Sequence, residues 1–327
     1  VDRIGYGGYL SLAYKFPKFV DYIENVCDEF REIYDNIGGN KPYCGLKVGV
    51  LNCWGKLRSW QTHMVAHALW YKQIYTYLGI IESLSGMSFD VEFISFDDIK
   101  ENGISSDIDV IINAGDAGTA FSGGDKWLDK EIISTLREWI YNGGGFVGVG
   151  EPSAVLEGGH FFQLAEALGV DKELGFSLST DKYFNTQLDK HFIIEDVIEE
   201  IDFGEGQKNI YSKSKETEII CYRNGDLLMS SNDYGKGRAV YIAGLPYSLQ
   251  NTRILMRSCF YASHKEKEMK KWYADNLNCE VSAYLESNKY AVINNSHEKQ
   301  STIIYDGSGN KIKFELQPGE IKWSKIS

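Results

Sequence analysis

Cations are in short supply in this sequence. Its 34 lysines and arginines stand against 46 aspartates and glutamates, a formal net charge of −12 at pH 7. A nucleic-acid groove needs a basic face, so that class of partner is excluded. Nor is there a run of 18 apolar residues, so no helix is expected to span a membrane. Val1 to Leu10 carry neither an initiator methionine nor the basic and apolar regions of a signal peptide. The chain is expected to begin partway through a pattern, as if continued from a longer polypeptide. Its six cysteines (Cys27, Cys44, Cys53, Cys221, Cys259 and Cys279) form no C-x-x-C pair and meet no histidine at metal spacing. Scattered thiols of this kind point to a reduced, cytoplasmic protein with no metal.

What is present is an ordinary globular balance, 43% hydrophobic and 24% charged, at a length that holds two or three domains. Polar-tipped rings are abundant, with 21 tyrosines among 13% aromatics. Such rings suit sugar-binding or wet surfaces, and they also line cores.

The stretch Leu46 to Met64 organises the rest. Val48, Val50 and Leu51 make a short apolar run, the mark of a strand buried on both faces. Asn52 to Ser59 breaks that run, and from Gln61 the apolar spacing becomes helical through Leu78. Strand, polar loop and helix open a sheet of the α/β type, whose ligands gather at the carboxyl ends of its strands. Trp54, Lys56, Arg58 and Trp60 in that loop either form a lid or domain interface there, or cover the sheet edge with the cations solvated.

Residues 1–44 do not read as a domain. Glycines at 5, 7 and 8 precede one helix, with Pro17 in its first turn and Gly38-Gly39 at its end. A glycine-rich strand end followed by one helix has the shape of the last βα unit of a barrel. Its apolar stripe (Phe19, Ile23, Val26, Phe30, Ile33) needs a partner outside the unit, either a missing domain or the body that follows.

Residues 45–262 alternate strands with helices. Strands are expected at 89–95, 110–113 and 146–150, with a helix over 129–141 that the triple glycine 143–145 caps. The order implies a mostly parallel sheet with right-handed crossovers. Strands at 218–222, 227–230 and 238–243 follow, with 232–237 as a hairpin turn, then a closing helix over 249–261. Gly158 to Tyr183 reads as a helix (161–168) and a loop over the sheet. From residue 263 the texture changes to short β-rich runs with turns about a dozen residues apart, as in a small antiparallel sandwich.

Gly150-Glu151 occupies the sharp turn where glutaminase-like α/β domains carry a thiol or hydroxyl nucleophile. Neither is there, no H-x-E follows near residues 245–250, and His160 is the only histidine near Ser153. A hydrolytic triad is not expected. The glycine clusters 115–118 and 143–145 match neither a P-loop nor a dinucleotide fingerprint. His63 and His67 stand one helical turn apart without a carboxylate, the pattern of ordinary helix-face residues. Arg3 beside a glycine-rich turn offers a donor fork and open backbone N–H groups to one anion, or else it pairs with Asp2. Tyr6 and Tyr9 are either stacking faces for a sugar or plain packing.

VDRIGYGGYLSL, VGVLNCWGKLRSWQTHM, NAGDAGTAFSGGDKW, YNGGGFVGVGEPSA and GFSLSTDKY together resemble the galacto-N-biose/lacto-N-biose phosphorylase family. The resemblance covers essentially the whole chain. It implies the end of a catalytic TIM-like barrel (1–44), a central amidotransferase-like α/β domain (45–262) and a C-terminal β domain (263–327). It also implies inverting phosphorolysis of β-1,3-galactosyl-N-acetylhexosamines (lacto-N-biose, galacto-N-biose) to galactose 1-phosphate. Inorganic phosphate is then the co-substrate and no cofactor is needed. One carboxylic acid protonates the leaving oxygen, and phosphate, already an anion, needs no base, unlike a two-carboxylate hydrolase. The family's general acid lies in the barrel, upstream of Val1, so this chain is expected to be inactive alone. Arg3 carries over as an anion-binding residue at the barrel mouth and Tyr9 as an aromatic at the sugar site, with Tyr6 added for its proximity. A homodimer and the missing barrel are the implied partners. A second reading, from a different class, is a noncatalytic carbohydrate-binding or oligomerisation module like the central domain of some β-galactosidases.

Overall fold

A computed structural model describes residues 15–53, 71–175 and 182–326. Pro17–Ile37 forms helix α1, closed by Gly38 in the left-handed region at φ 66. The Gly38 N–H donates to the Tyr34 carbonyl at 2.8 Å, so the glycine pair ends the helix as its sequence requires. None of the residues of α1 is buried, and Val20, Tyr22, Phe30 and Tyr34 are exposed. Within its apolar stripe Phe30 is exposed, and Phe19, Ile23, Val26 and Ile33 are half-buried.

Leu46–Asn52 (β1), Tyr71–Ser85 (α2), Phe89–Ser95 (β2), Phe96–Asn102 (α3), Val110–Gly115 (β3), Lys130–Tyr141 (α4) and Gly145–Gly150 (β4) follow in alternation. Then come Ala154–Glu157 (β5), His160–Phe162 (β6), Ala165–Leu168 (α5), Val170–Lys172 (β7) and Ile210–Ser212 (β8). Glu218–Arg223 (β9), Asp226–Tyr234 (β10), Gly237–Ile242 (β11) and Leu249–Ala262 (α6) complete the unit.

One sheet of seven strands runs β2-β1-β3-β4-β11-β10-β9. Its first five strands are parallel, and β10 and β9 return antiparallel. Every residue of β3 and β4 is buried, as their unbroken apolar runs require when helices cover both faces. Contacts join α2 to α6 and α3 to α4. Asp129 caps α4 by accepting from the Glu131 N–H at 3.0 Å, and the glycines after it close the helix, with Gly144 N–H donating to the Trp139 carbonyl at 3.0 Å.

Three local expectations change. Residues 161–168 are not one helix. Gly158 and Gly159, at φ 60 and 81, form the two-residue turn of a hairpin that pairs Glu157 with His160, and positive φ at both positions selects that turn. Only residues 165–168 stay helical. The turn between β10 and β11 is shorter than 232–237, because β10 continues to Tyr234 and leaves Gly235-Lys236 to reverse the chain. Helix α3, which is not among the expected elements, stands between β2 and β3, nucleated by a capping box between Ser95 and Asp98.

The last part is antiparallel. Tyr273–Ala274 (β12), Cys279–Tyr284 (β13), Lys289–Asn294 (β14), Gln300–Tyr305 (β15), Lys311–Leu316 (β16) and Ile321–Lys325 (β17) form two three-stranded sheets, β12-β15-β16 and β13-β14-β17. Between them lies a separate core that includes Val281, Val292, Ile304 and Leu316, with Tyr43 packed against it. Arg253 of α6 ties this part to the central one. It donates to the Ala274 carbonyl at 2.8 Å and to the Tyr273 hydroxyl, and pairs with Asp196 at 3.1 Å. Arg257 holds the same Asp196 at 2.7 Å, which keeps the irregular stretch around residues 192–196 against α6.

Gly79 lets α2 sit directly on the β11–α6 connection. A Cβ there would stand 2.1 Å from the Leu245 carbonyl oxygen, a backbone atom that cannot swing aside. Alanine would normally add about 1 kcal/mol of helix propensity, but overpacking against backbone costs about 1–3 kcal/mol or more, and the clash wins. Gly79→Ala is therefore expected to destabilise the chain by about 2 kcal/mol, read from the urea midpoint at pH 7. A neutral or raised midpoint would show that the two segments separate freely.

Candidate functional site

Strands β1, β3 and β4 end on the same edge, at Asn52, Gly115 and Gly150. The chain passes from β1 to β2 on one side, then crosses back to β3 on the other. Sheets of this type bind their ligands at such a divergence.

Gly150, at φ 79, turns the chain sharply at the end of β4. Glu151 follows, and its N–H donates to the Gly115 carbonyl at 2.9 Å. One carboxylate oxygen accepts from the Ala117 N–H at 2.8 Å, and the other pairs with the Lys172 ammonium. Lys172 in turn donates to Gln207 Oε1 at 2.8 Å. The side chains of Glu151 and Lys172 are only 12% and 16% exposed, so this ion pair is largely shielded from solvent. Beneath it the buried Tyr241 hydroxyl donates to the Gly150 carbonyl at 3.1 Å, and burial keeps that phenol well above its usual pKa.

At the turn after β4, then, stands a carboxylate with both oxygens engaged. It fastens the loop after β3 to the end of β7 and to residue 207. Ser153 does not replace it. Its hydroxyl accepts from the Leu164 N–H at 3.1 Å, while His160 faces Asp171 at 3.2 Å and Lys213 at 3.4 Å. A chemistry of Ser-His type has no support in these contacts. Among the described residues no group of three or more His, Cys, Asp or Glu could hold a metal ion, and no helix is long and apolar enough to cross a membrane.

Asp116 is the carboxyl at this edge with a raised pKa. Burial pushes its carboxyl up to about 6, the Glu151 carboxylate and Glu205 add to the effect, and Lys172 opposes them. The sequence marked 115–118 only as a small-residue loop, and Lys172 and Gln207 carried no signal. Glu151 was visible because it stands where a nucleophile would. Arg3, Tyr6, Tyr9, Trp54, Lys56, Arg58 and Trp60, and with them His63 and His67, lie outside the described residues.

Three family models match this chain. The lacto-N-biose phosphorylase central domain matches residues 47–267, the C-terminal domain matches 272–324, and the N-terminal TIM barrel domain matches 1–45. A 1,3-β-galactosyl-N-acetylhexosamine phosphorylase of Lachnoclostridium phytofermentans is 54% identical over 99% of this chain and 44% of its own length. The enzyme of that name from Bifidobacterium longum subsp. longum is 45% identical over 99% of this chain and 47% of its own. A D-galactosyl-β-1→4-L-rhamnose phosphorylase of L. phytofermentans is 37% identical over 93% of this chain and 41% of its own. The chain belongs to the lacto-N-biose phosphorylase family. It spans about half the length of the curated relatives it matches. Among solved structures, a polyextremophilic β-galactosidase from Halorubrum lacusprofundi is 13% identical at a TM-score of 0.42, over 86% of this chain and 39% of that one.

The raised pKa of Asp116 sets a pH dependence. An acid whose folded pKa lies above its unfolded value stabilises the fold below the unfolded value, and that contribution is lost as pH rises through the folded one, here between about 4 and 6. Asp116→Asn is expected to raise stability at pH 7.5 by about 1 kcal/mol after allowing for solvent screening. The gain shrinks toward zero as pH falls to about 4. Urea titrations of both proteins across that range check it, and a gain independent of pH would contradict it.

Proposed function

We propose that this chain is the C-terminal part of a glycoside phosphorylase that cleaves β-1,3-galactosyl-N-acetylhexosamines with inorganic phosphate, releasing galactose 1-phosphate with inversion. The observation that carries the reading is the identity of 54% and 45% over almost the whole chain to two phosphorylases of that name. The apolar stripe of α1, no residue of which is fully buried, supports it. A helix whose family model is the TIM barrel domain would seat that stripe on the rest of the barrel, the partner this sequence does not supply. The engaged Glu151 supports it too, because both of its oxygens are taken and it is not available as the proton donor for the leaving group.

In this reading Arg3 binds phosphate through its guanidinium fork, Tyr9 and Tyr6 face the galactosyl unit, and Trp54, Lys56, Arg58 and Trp60 close over the site or line its domain interface. The reaction needs no cofactor besides the phosphate. The central domain is amidotransferase-like with its nucleophile replaced by Glu151, and the enzyme works as a cytoplasmic homodimer.

Galactose 1-phosphate formation from lacto-N-biose and phosphate tests the proposal. The 327-residue chain alone is expected to give none, and the same chain preceded by its barrel is expected to turn over. In that longer protein Arg3→Ala should lower kcat/KM for phosphate by about 10- to 100-fold, the loss of one charge-assisted hydrogen bond or two. Turnover by the short chain would place the proton donor within it and overturn the assignment. An unchanged kcat/KM in Arg3→Ala would remove Arg3 from the phosphate site.

A further inference from the structure

The end of α1 is bound by a part of the chain some 250 residues away. Ser287, in the turn between β13 and β14, donates its hydroxyl to the Ile37 carbonyl and accepts from Asn40 Nδ2 at 2.7 Å. Lys289, the first residue of β14, donates from Nζ to Asn36 Oδ1 at 2.8 Å. The Tyr43 N–H then donates to the Ala283 carbonyl at 2.7 Å.

These contacts answer a specific electrostatic need. The last turn of α1 has no basic residue of its own, although the partial negative charge of its free carbonyls favours one. Lys289 supplies it from another domain. Within its own sheet that lysine is badly placed, opposite Lys325 in the register of β14 and β17, where like charges destabilise the pair. The residue fits the helix end better than it fits the strand.

We propose that Ser287 and Lys289 are positioning residues for the barrel. The β13–β14 turn holds the end of the helix on which the rest of the barrel seats, and so fixes the angle at which barrel and central domain meet. The contact itself stands without the reading under Proposed function, whereas its effect on turnover rests on that reading.

Hydrogen exchange on this chain tests the contact. In Ser287→Ala/Lys289→Asp, amides of residues 34–44 are expected to exchange about tenfold faster, the loss of the Ser287 and Lys289 hydrogen bonds and of one helix-end charge. Amides of β3 and β4 should keep their rates, and Lys289→Arg should keep those of 34–44 as well. Unchanged exchange at 34–44, or an equal rise in β3 and β4, would overturn the clamp. In the protein with its barrel, the double variant is expected to raise KM for the disaccharide several-fold at a nearly constant kcat. If the unaltered long protein turns over and the variant matches it in KM, the positioning role is wrong. If the unaltered protein gives no galactose 1-phosphate, the phosphorylase reading is wrong while the exchange result still decides the clamp.

Discussion

The Glu151 carboxylate joins the loop after β3, the end of β7 and residue 207 at the edge where a ligand would otherwise enter. Removing a partner from a shielded ion pair costs far more than an exposed pair contributes, because the remaining charge is left without compensation. The turn at Gly150, the path of the chain over Ala117 and the position of β7 all depend on that one arrangement. The side chain at the turn is committed to holding loops together.

The family and the sheet were both legible in the residues. Parallel strands buried on both faces must be nearly continuous apolar runs, and β1, β3 and β4 are such runs. The alternation with helices then leaves few topologies. Caps were legible too, at Gly38 and at the glycines that close α4, because they are local chemistry. The hairpin at 154–162 escaped because its neighbours Phe161, Phe162, Leu164 and Leu168 also fit a helical stripe, and two glycines decided between the alternatives. Helix α3 escaped because seven residues are too few for a period to show.

What the residues could not disclose were the meetings across distance. Lys172 reaches Glu151 from 21 positions away in sequence, Gln207 meets Lys172 from 35, and Arg253 and Arg257 meet Asp196 from 57 and 61. No pattern of spacing encodes such a pairing, since each side chain alone reads as an ordinary surface charge. The same holds for Ser287 and Lys289, which belong to a hairpin by sequence and to a helix end by contact. In each case a charge that is costly in one setting is matched in another.

One mechanical consequence follows from the route of the chain. The link after α1 is stitched to β13 through Tyr43 and Ala283 before it enters the central sheet at Leu46. A pull applied between the N-terminal helix and the C-terminal strands would therefore be borne first by that short stitch together with the Ser287 and Lys289 contacts. The seven-stranded sheet lies outside the direct load path and would stay intact while the two outer pieces part.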